Sequence, residues 1–348
     1  MTKIRPLAGI LAALFAAMTL LSGCGAGSGN AGANNPDSSA DGAKKQPTYM
    51  FRLAESHPAD YPTTLGDKKF AELVNQKTDG RIKIEVFPSA QLGEEKAVIE
   101  QVQLGAIEFT RVSTGPLAEF NKAFGVFSLP YIFESEEHEW NFLNGPEAQQ
   151  MLDGLSSSKF VGLAYYDSGA RSFYTRKPVK SIGDLKGMKI RVIQNKVNID
   201  LMEALGASAT PMPYGDVFNS LQTGVIDGAE NNWPSYYTSK HYEQAKNFIV
   251  DGHQRVPEVL MVSKVTWDKL SDQDKQAIRE AATESIAYQR EEWKKFEKEA
   301  EDKVRAAGVT VTEVTDLKPW QDAVKPMIEQ YRSEYREVLE AIDKAKAE

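Results

Sequence analysis

The chain has 348 residues, of which 41% are hydrophobic and 26% are charged. This composition is ordinary for a soluble globular protein, and at about 100–200 residues per domain the length suggests two domains. The net charge of −8 argues against nucleic-acid binding, which needs clustered Lys and Arg. The single cysteine, Cys24, excludes an intrachain disulfide, a Cys-based metal cluster and a CxxC redox motif.

The N-terminus begins with a short basic segment and continues as an apolar run over residues 7–21. The run has about 15 residues and is shorter than the roughly 20 of a membrane-spanning helix. Residues 1–23 are therefore predicted to be a signal peptide, and the ending Leu-Ser-Gly-Cys resembles a bacterial lipobox in which Cys24 is lipidated. The alternative is a cysteine buried within a plain membrane anchor. Residues 24–47 contain few large apolar side chains and are predicted to be a disordered linker.

The remaining sequence predicts alternating strands and helices. Predicted strands cover 49–54, 82–86, 106–112, 160–165, 172–175, 188–192, 225–229, 259–263 and 309–314. Predicted helices cover 64–78, 94–104, 197–205, 216–223, 271–308 and 320–345, with a turn and short helix over 181–187. The short links between the first strands and helices imply right-handed parallel crossovers. The helix that Ser271 caps would be roughly 54 Å long, enough to span two lobes.

Motifs for enzymatic chemistry are absent from the sequence. The four histidines are His57, His138, His241 and His253, and they form neither HExxH nor the close pair of a zinc site. There is no GxSxG elbow and no phosphate-binding P-loop. The 49 acidic residues make chance carboxylate pairs inevitable, so a glycosidase-like pair stays open. The sequence therefore predicts no cofactor and no metal.

Arg191 is the most informative charged residue. It lies between Ile190 and Val192 in a predicted strand. A cation in that position must reach solvent, an acidic partner or a bound anion. The pattern fits a structural ion pair and an anion site equally.

Several segments carry a resemblance to a known family. They are Gln91-Leu92-Gly93, 105–108, 129–133, 167–171, 185–192, 205–207, 211–213 and 221–232. In this order and spacing, the chain from Tyr49 to about Ala345 resembles the DctP-type solute-binding proteins of tripartite ATP-independent periplasmic (TRAP) transporters. The resemblance implies an α/β, two-lobe periplasmic-binding-protein-like fold with a long lobe-spanning helix. The implied lobes are 48–168 with 257–296 (lobe I) and 169–256 with 297–348 (lobe II).

The resemblance also implies which residues bind the ligand. Arg191 would grip a ligand carboxylate bidentately, with Arg171 and Asn231 beside it, because a planar guanidinium matches carboxylate geometry. Segments 57–63, 231–236 and 241–243 are similar to members that bind hexuronates.

Four further residues follow from that subgroup. Glu55, His57 and Arg111 would hold sugar hydroxyls, and Trp233 would stack on a pyranose face. The structural alternatives are a salt bridge for Glu55, a turn for His57 and core packing for Trp233.

The implied function is a non-enzymatic, extracytoplasmic receptor that is lipid-anchored to the bacterial cell membrane. It would be a monomer that captures a carboxylate ligand, a hexuronate such as glucuronate or galacturonate. It would deliver the ligand to the small and large TRAP membrane subunits. Three alternatives remain: a receptor for C4-dicarboxylates or other organic acids, a surface-anchored hydrolase or lyase of uronate polymers, and a scaffold that only uses the fold.

Overall fold

The structure is a computed structural model and describes residues 48–347. The predicted signal peptide, the lipidated Cys24 and the linker lie outside the described residues. Within residues 48–347, the helices are all too short or too polar to cross a membrane.

The described part of the chain alternates strands with helices. The strands are β1 (Tyr49–Ala54), β2 (Ile82–Phe87), β3 (Phe109–Ser113), β4 (Phe160–Tyr166), β5 (Ala170–Thr175), β6 (Lys189–Val192), β7 (Ser208–Pro211), β8 (Gly228–Asn231), β9 (Asn247–Arg255), β10 (Glu258–Ser263) and β11 (Thr310–Glu313). The helices are α1 (Pro62–Lys77), α2 (Glu95–Leu104), α3 (Thr114–Leu117), α4 (Glu136–Leu143), α5 (Pro146–Gly154), α6 (Lys196–Ala204), α7 (Val217–Thr223), α8 (Trp233–Thr238), α9 (His241–Gln244), α10 (Lys264–Trp267), α11 (Asp272–Ala306), α12 (Lys318–Tyr331) and α13 (Arg336–Lys344). Short 3-10 helices cover Lys122–Ser128, Leu155–Ser158, Ile182–Leu185, Tyr214–Asp216 and Ala345–Ala347.

The strands form two mixed sheets, each the centre of one lobe. The sheet of lobe I has the order β2-β1-β3-β10-β4, and the sheet of lobe II has the order β11-β9-β5-β8-β6-β7. Strands β1, β2 and β3 are parallel, as the short strand–helix–strand links predicted. The predicted α/β two-lobe fold is thus confirmed, while the residue boundaries given above for each lobe stay a prediction.

The chain passes between the two sheets through short connections. Residues 167–169 join β4 to β5, and residues 256–257 join β9 to β10. The 35-residue helix α11 packs on α1 and β4 of lobe I and on α8 of lobe II, as predicted for a lobe-spanning helix. Its Ser271 hydroxyl accepts from the amide of Asp274 at 3.1 Å, the predicted N-terminal cap.

Some predicted elements were wrong. Strand β9 was not predicted, because buried Asp251, His253 and Gln254 interrupt its apolar pattern. The predicted strand over 225–229 lies later, at β8. The helix predicted over 320–345 is two helices, since α12 ends at Tyr331 and the chain then turns so that α13 packs on α4.

Candidate functional site

A cavity lies between the two lobes and is lined by residues from both. Lobe I contributes Ser56, His57, Glu94, Glu95, Lys96, Ser113, Pro116 and Glu258. Lobe II contributes Arg171, Arg191, Ile193, Gln194, Met212, Pro213, Tyr214, Asn231, Asn232 and Ser235. Three groups of the sequence prediction, the two arginines and Asn231, therefore meet on one wall, and His57 lies on the other.

Arg191 projects from β6 into this cavity. Because side chains alternate along a strand, Ile190 and Val192 point into the core of lobe II while Arg191 faces the other side of the sheet. Its Nε and Nη2 atoms donate to the carbonyl of Met212 at 3.1 and 2.8 Å. A guanidinium has five N–H donors, so this contact leaves three of them for another acceptor.

Arg191 is buried without an acidic partner. Its exposed fraction is 4%, and within residues 48–347 no carboxylate lies at ion-pair distance from it. Burial lowers the pKa of Arg191, since desolvation of the cation is only partly offset by the charge of Glu230. A buried cation is stable when an anion neutralises it. Of the two interpretations that the sequence left open, the geometry supports the anion site.

Arg171 is different, because it is already paired. It projects from β5, and its Nε and Nη2 donate to the two carboxylate oxygens of Glu230 at 2.6 and 2.9 Å. Nη2 also donates to the Glu230 carbonyl, and Nη1 donates to Oδ1 of Asn231, both at 2.9 Å. Four of the five donors are thus used, and one remains for a ligand. These hydrogen bonds hold the side chains of Arg171 and Asn231 in place on the wall that also carries Arg191.

A buried chain of charges continues behind Arg171. Nδ1 of His253 lies 2.9 Å from Oδ2 of Asp251, and Nε2 lies 3.7 Å from Oε2 of Glu230. Burial alone would lower the pKa of His253, but these two carboxylates raise it to about 9. Burial alone would raise the pKa of Glu230, but Arg171 and His253 lower it to about 2. A charged His253 therefore helps to hold Glu230 ionised and Arg171 in place.

Glu55 and Arg111 lie behind the lobe I wall and do not line the cavity. Both side chains are fully buried. Nε of Arg111 donates to Oε2 of Glu55 at 2.8 Å, and Nη2 donates to Oε1. Nη1 donates to Oε1 of Glu95 at 2.8 Å and to Oε2 of Glu258 at 2.6 Å. The salt bridge that the sequence left as the alternative for Glu55 is what the structure contains.

His57 lines the cavity and rests on this cluster. Its Nδ1 lies 2.8 Å from Nη2 of Arg111 and 3.0 Å from Oε1 of Glu55. The ring stacks on Tyr61 with centroids 4.0 Å apart. Burial, followed by the charge of Arg111, lowers the pKa of His57. A neutral imidazole at this wall is able to hydrogen-bond a hydroxyl group.

Trp233 lies away from the cavity. On lobe II, its indole stacks on the ring of Phe248 with centroids 3.7 Å apart. The guanidinium carbon of Arg305 lies 5.7 Å from the centroid of the same indole. The packing interpretation therefore describes this residue, and the structure gives no support to stacking on a sugar.

The sequence reasoning missed three acidic residues of the lobe I wall. Glu94 and Glu95 form the N-terminal end of α2, directly after the Gln91-Leu92-Gly93 segment that was recognised. Glu258 begins β10 after Pro257. The adjacent Gln91-Leu92-Gly93 segment could have indicated Glu94 and Glu95. The sequence around Glu258 contains no comparable pattern.

Several hydrogen bonds and ring contacts cross the cleft. The hydroxyl of Tyr61 lies 2.8 Å from Oγ of Ser235 and donates to Oδ1 of Asn232 at 3.3 Å. The rings of His57 and Tyr214 lie 5.4 Å apart. These contacts join the two lobes beside the cavity.

Comparisons with known proteins agree with this geometry. The profile of "Bacterial extracellular solute-binding protein, family 7" (DctP) matches residues 53–334. A solute-binding protein of Chromohalobacter salexigens is 39% identical over 283 residues, which cover 81% of this chain and 84% of the relative.

Two solved structures match over most of the chain. A TRAP periplasmic solute-binding protein of Xanthobacter autotrophicus Py2 with bound β-D-galacturonate is 43% identical, with a TM-score of 0.82, covering 85% of this chain and 99% of that one. A TRAP periplasmic solute-binding protein of Pseudomonas putida F1 with bound D-glucuronate is 39% identical, with a TM-score of 0.83, covering 84% and 96%. The chain therefore belongs to the DctP family of extracytoplasmic TRAP solute-binding proteins.

Proposed function

We propose that this protein is a hexuronate receptor, which captures glucuronate or galacturonate and delivers it to TRAP membrane subunits. The observation that carries the proposal is the unpaired, buried Arg191, which faces an acidic wall across the cavity. Arg191 holds the ligand carboxylate, and Arg171 with Asn231 fixes its orientation. On the opposite wall, the acidic side chains accept hydrogen bonds from sugar hydroxyls, and His57 donates or accepts one.

The ligands of the two structural relatives support this assignment. One holds galacturonate and the other glucuronate, and each matches this chain along nearly its whole length. The two sugars differ only in the orientation of one hydroxyl group, so the same carboxylate site serves either. The receptor binds its ligand without transforming it.

A ligand screen tests the proposal. The purified full-length chain is mixed with hexuronates, aldonates, C4-dicarboxylates and keto acids, and the shift of the melting temperature is measured. A ligand at 100 times its Kd stabilises the folded protein by about 2.7 kcal/mol. We expect the largest shifts with glucuronate or galacturonate, and with neither sugar chemically changed after incubation. Shifts confined to C4-dicarboxylates would contradict the hexuronate assignment, and turnover of a uronate polymer would contradict the receptor role.

The receptor is also proposed to be anchored to the membrane through a lipid on Cys24. The lipobox-like segment that ends at this only cysteine supports the anchor. Fractionation of cells that express the protein or its Cys24→Ser variant tests it. The native protein is expected in the membrane fraction and the variant outside it, and an equal distribution of the two would contradict lipid anchoring.

A further inference from the structure

The two walls of the cavity carry opposite charge. The lobe II wall presents Arg171 and Arg191, and the lobe I wall presents Glu94, Glu95 and Glu258 together with one cation, Lys96. A ligand in this cavity therefore experiences a strong gradient of potential across its length. The carboxylate end points to lobe II, and the other end meets carboxylates.

The acids of the lobe I wall are only partly neutralised. Arg111 supplies one positive charge to Glu55, Glu95 and Glu258. Lys96 supplies a second beside Glu94, which leaves an excess of two negative charges when all four acids are ionised. His57 adds no charge when it is neutral. Burial raises the pKa of Asp67, which lies behind them, well above its usual value, so this carboxyl contributes less negative charge than an exposed aspartate.

Glu95 and Glu258 each keep one oxygen available. Oε1 of Glu95 accepts from Arg111 and, at 3.1 Å, from the amide of Ser113. Oε2 of Glu258 accepts from Arg111. The other oxygen of each carboxylate has no hydrogen-bond partner among residues 48–347, although both residues line the cavity. The two side chains are only 16% and 7% exposed.

We infer that Glu95 and Glu258 are specificity-determining residues that accept hydroxyl groups of the ligand and reject a second carboxylate. A hydroxyl donates a hydrogen bond to a carboxylate, whereas a second carboxylate has no proton to donate and is repelled. Like charges placed opposite one another in a desolvated site suppress the wrong partner. The inference rests on the proposed hexuronate function. It explains why acids with two carboxylates would not compete with hexuronates for the site.

A pair of sugar acids tests the inference. Glucarate carries a second carboxylate at the end where glucuronate carries a hydroxyl or aldehyde, and gluconate is the open-chain acid with one carboxylate. Affinities of the purified full-length chain for all three are measured by calorimetry or by displacement of glucuronate. We expect glucarate to bind at least about tenfold more weakly than glucuronate. Gluconate reports how much of that difference comes from ring opening.

The variants Glu95→Gln and Glu258→Gln remove one charge each and keep the shape of the side chain. At pH 8, above the pKa of about 7 of Glu258, each is expected to lower the ratio of the glucarate Kd to the glucuronate Kd by about tenfold while leaving the gluconate ratio unchanged. Glu85→Gln is the matched control, because Glu85 is exposed on β2 and does not line the cavity. It removes the same net charge from the same lobe.

Each outcome has a distinct meaning. Equal binding of glucarate and glucuronate to the native protein overturns the inference, and so does an unchanged ratio in both glutamate variants. If neither glucuronate nor galacturonate binds the native protein, the proposed function itself fails. Because Glu95 is less buried than Glu258, Glu95→Gln provides the test if Glu258→Gln does not fold.

Discussion

Arg111 and Arg191 are buried to nearly the same degree in the two lobes, with exposed fractions of 1% and 4%, but they differ in their partners. Arg111 contacts Glu55, Glu95 and Glu258, and Arg191 contacts a backbone carbonyl. Burial lowers the pKa of both, but the carboxylates raise that of Arg111 well above its usual value. Burial alone therefore does not indicate a ligand site, whereas a buried cation without an internal anion favours one.

The largest expected effect tests whether Arg111 stabilises the fold through its buried ion pairs. Arg111→Met leaves buried carboxylates without their cation, and removing one partner of a buried pair costs about 3–5 kcal/mol. The free energy of unfolding, measured with urea, is expected to fall by that amount. Arg52→Met is the control, because Arg52 forms an exposed ion pair with Glu108, and it is expected to cost under about 1 kcal/mol. A similar small cost for Arg111→Met would remove the distinction between the arginines.

The second prediction concerns the binding of the ligand carboxylate by Arg191. Arg191→Ala leaves a ligand carboxylate unpaired, which costs about 2–5 kcal/mol and weakens binding by roughly 30- to several-thousand-fold. Arg191→Lys keeps the charge without the planar fork and is expected to fall between native protein and Arg191→Ala. The free energy of unfolding without ligand is expected to change little.

Titration calorimetry with glucuronate checks this second prediction. Arg176→Ala is the matched control, because Arg176 is exposed on lobe II and lies outside the cavity. If Arg191→Ala binds within about threefold of native protein, Arg191 does not hold the carboxylate.

A smaller effect on ligand binding is expected from a bulkier side chain at Gly115, which would separate the two walls of the cavity. A Cβ atom on Gly115 would lie 2.6 Å from Cγ2 of Ile193 across the cleft. Gly115→Val is expected to favour the open state and to weaken hexuronate binding by about 1–3 kcal/mol, the usual cost of overpacking. Gly154→Val is the control, because no atom lies within 4 Å of its added Cβ.

Small-angle scattering measures directly whether Gly115→Val keeps the two lobes apart. The native chain is expected to have a smaller radius of gyration with saturating ligand, because the ligand contacts both walls only when they are closed. Gly115→Val is expected to lose most of that decrease. A native radius that does not respond to ligand would contradict closure.

The smallest expected effect is a change of selectivity with pH. Burial, partly offset by Arg111, raises the pKa of Glu258 to about 7. The group is neutral below that pH and negative above it, so the acidic wall gains charge as pH rises. The ratio of the glucarate Kd to the glucuronate Kd is therefore expected to rise by up to about tenfold from pH 6 to pH 8. Both acids stay fully ionised in this range, and Glu258→Gln is expected to abolish the change.

The sequence was sufficient for most of the fold and for one wall of the site. Alternating apolar residues located β2, and Ser271 located the start of α11, because both signals are local. Arg171, Arg191 and Asn231 were found because family segments surround them. In the lobe I cluster the sequence indicated Glu55 and Arg111 but not Glu258. Arg111 and Glu258 are 147 positions apart, and only the pairing of β3 with β10 brings them together. Long-range pairs of this kind leave no local pattern.

The connections at residues 167–169 and 256–257 have a consequence for the lifetime of the complex. In the proposed receptor, a ligand held between the closed walls leaves when the lobes separate, and these short segments must bend for that to happen. The glutamates and arginines of the cavity determine how far the ligand favours the closed state. The residence time therefore depends on these segments as well as on the cavity contacts that determine the affinity. A membrane partner that holds the lobes apart would unload the receptor without altering the ligand.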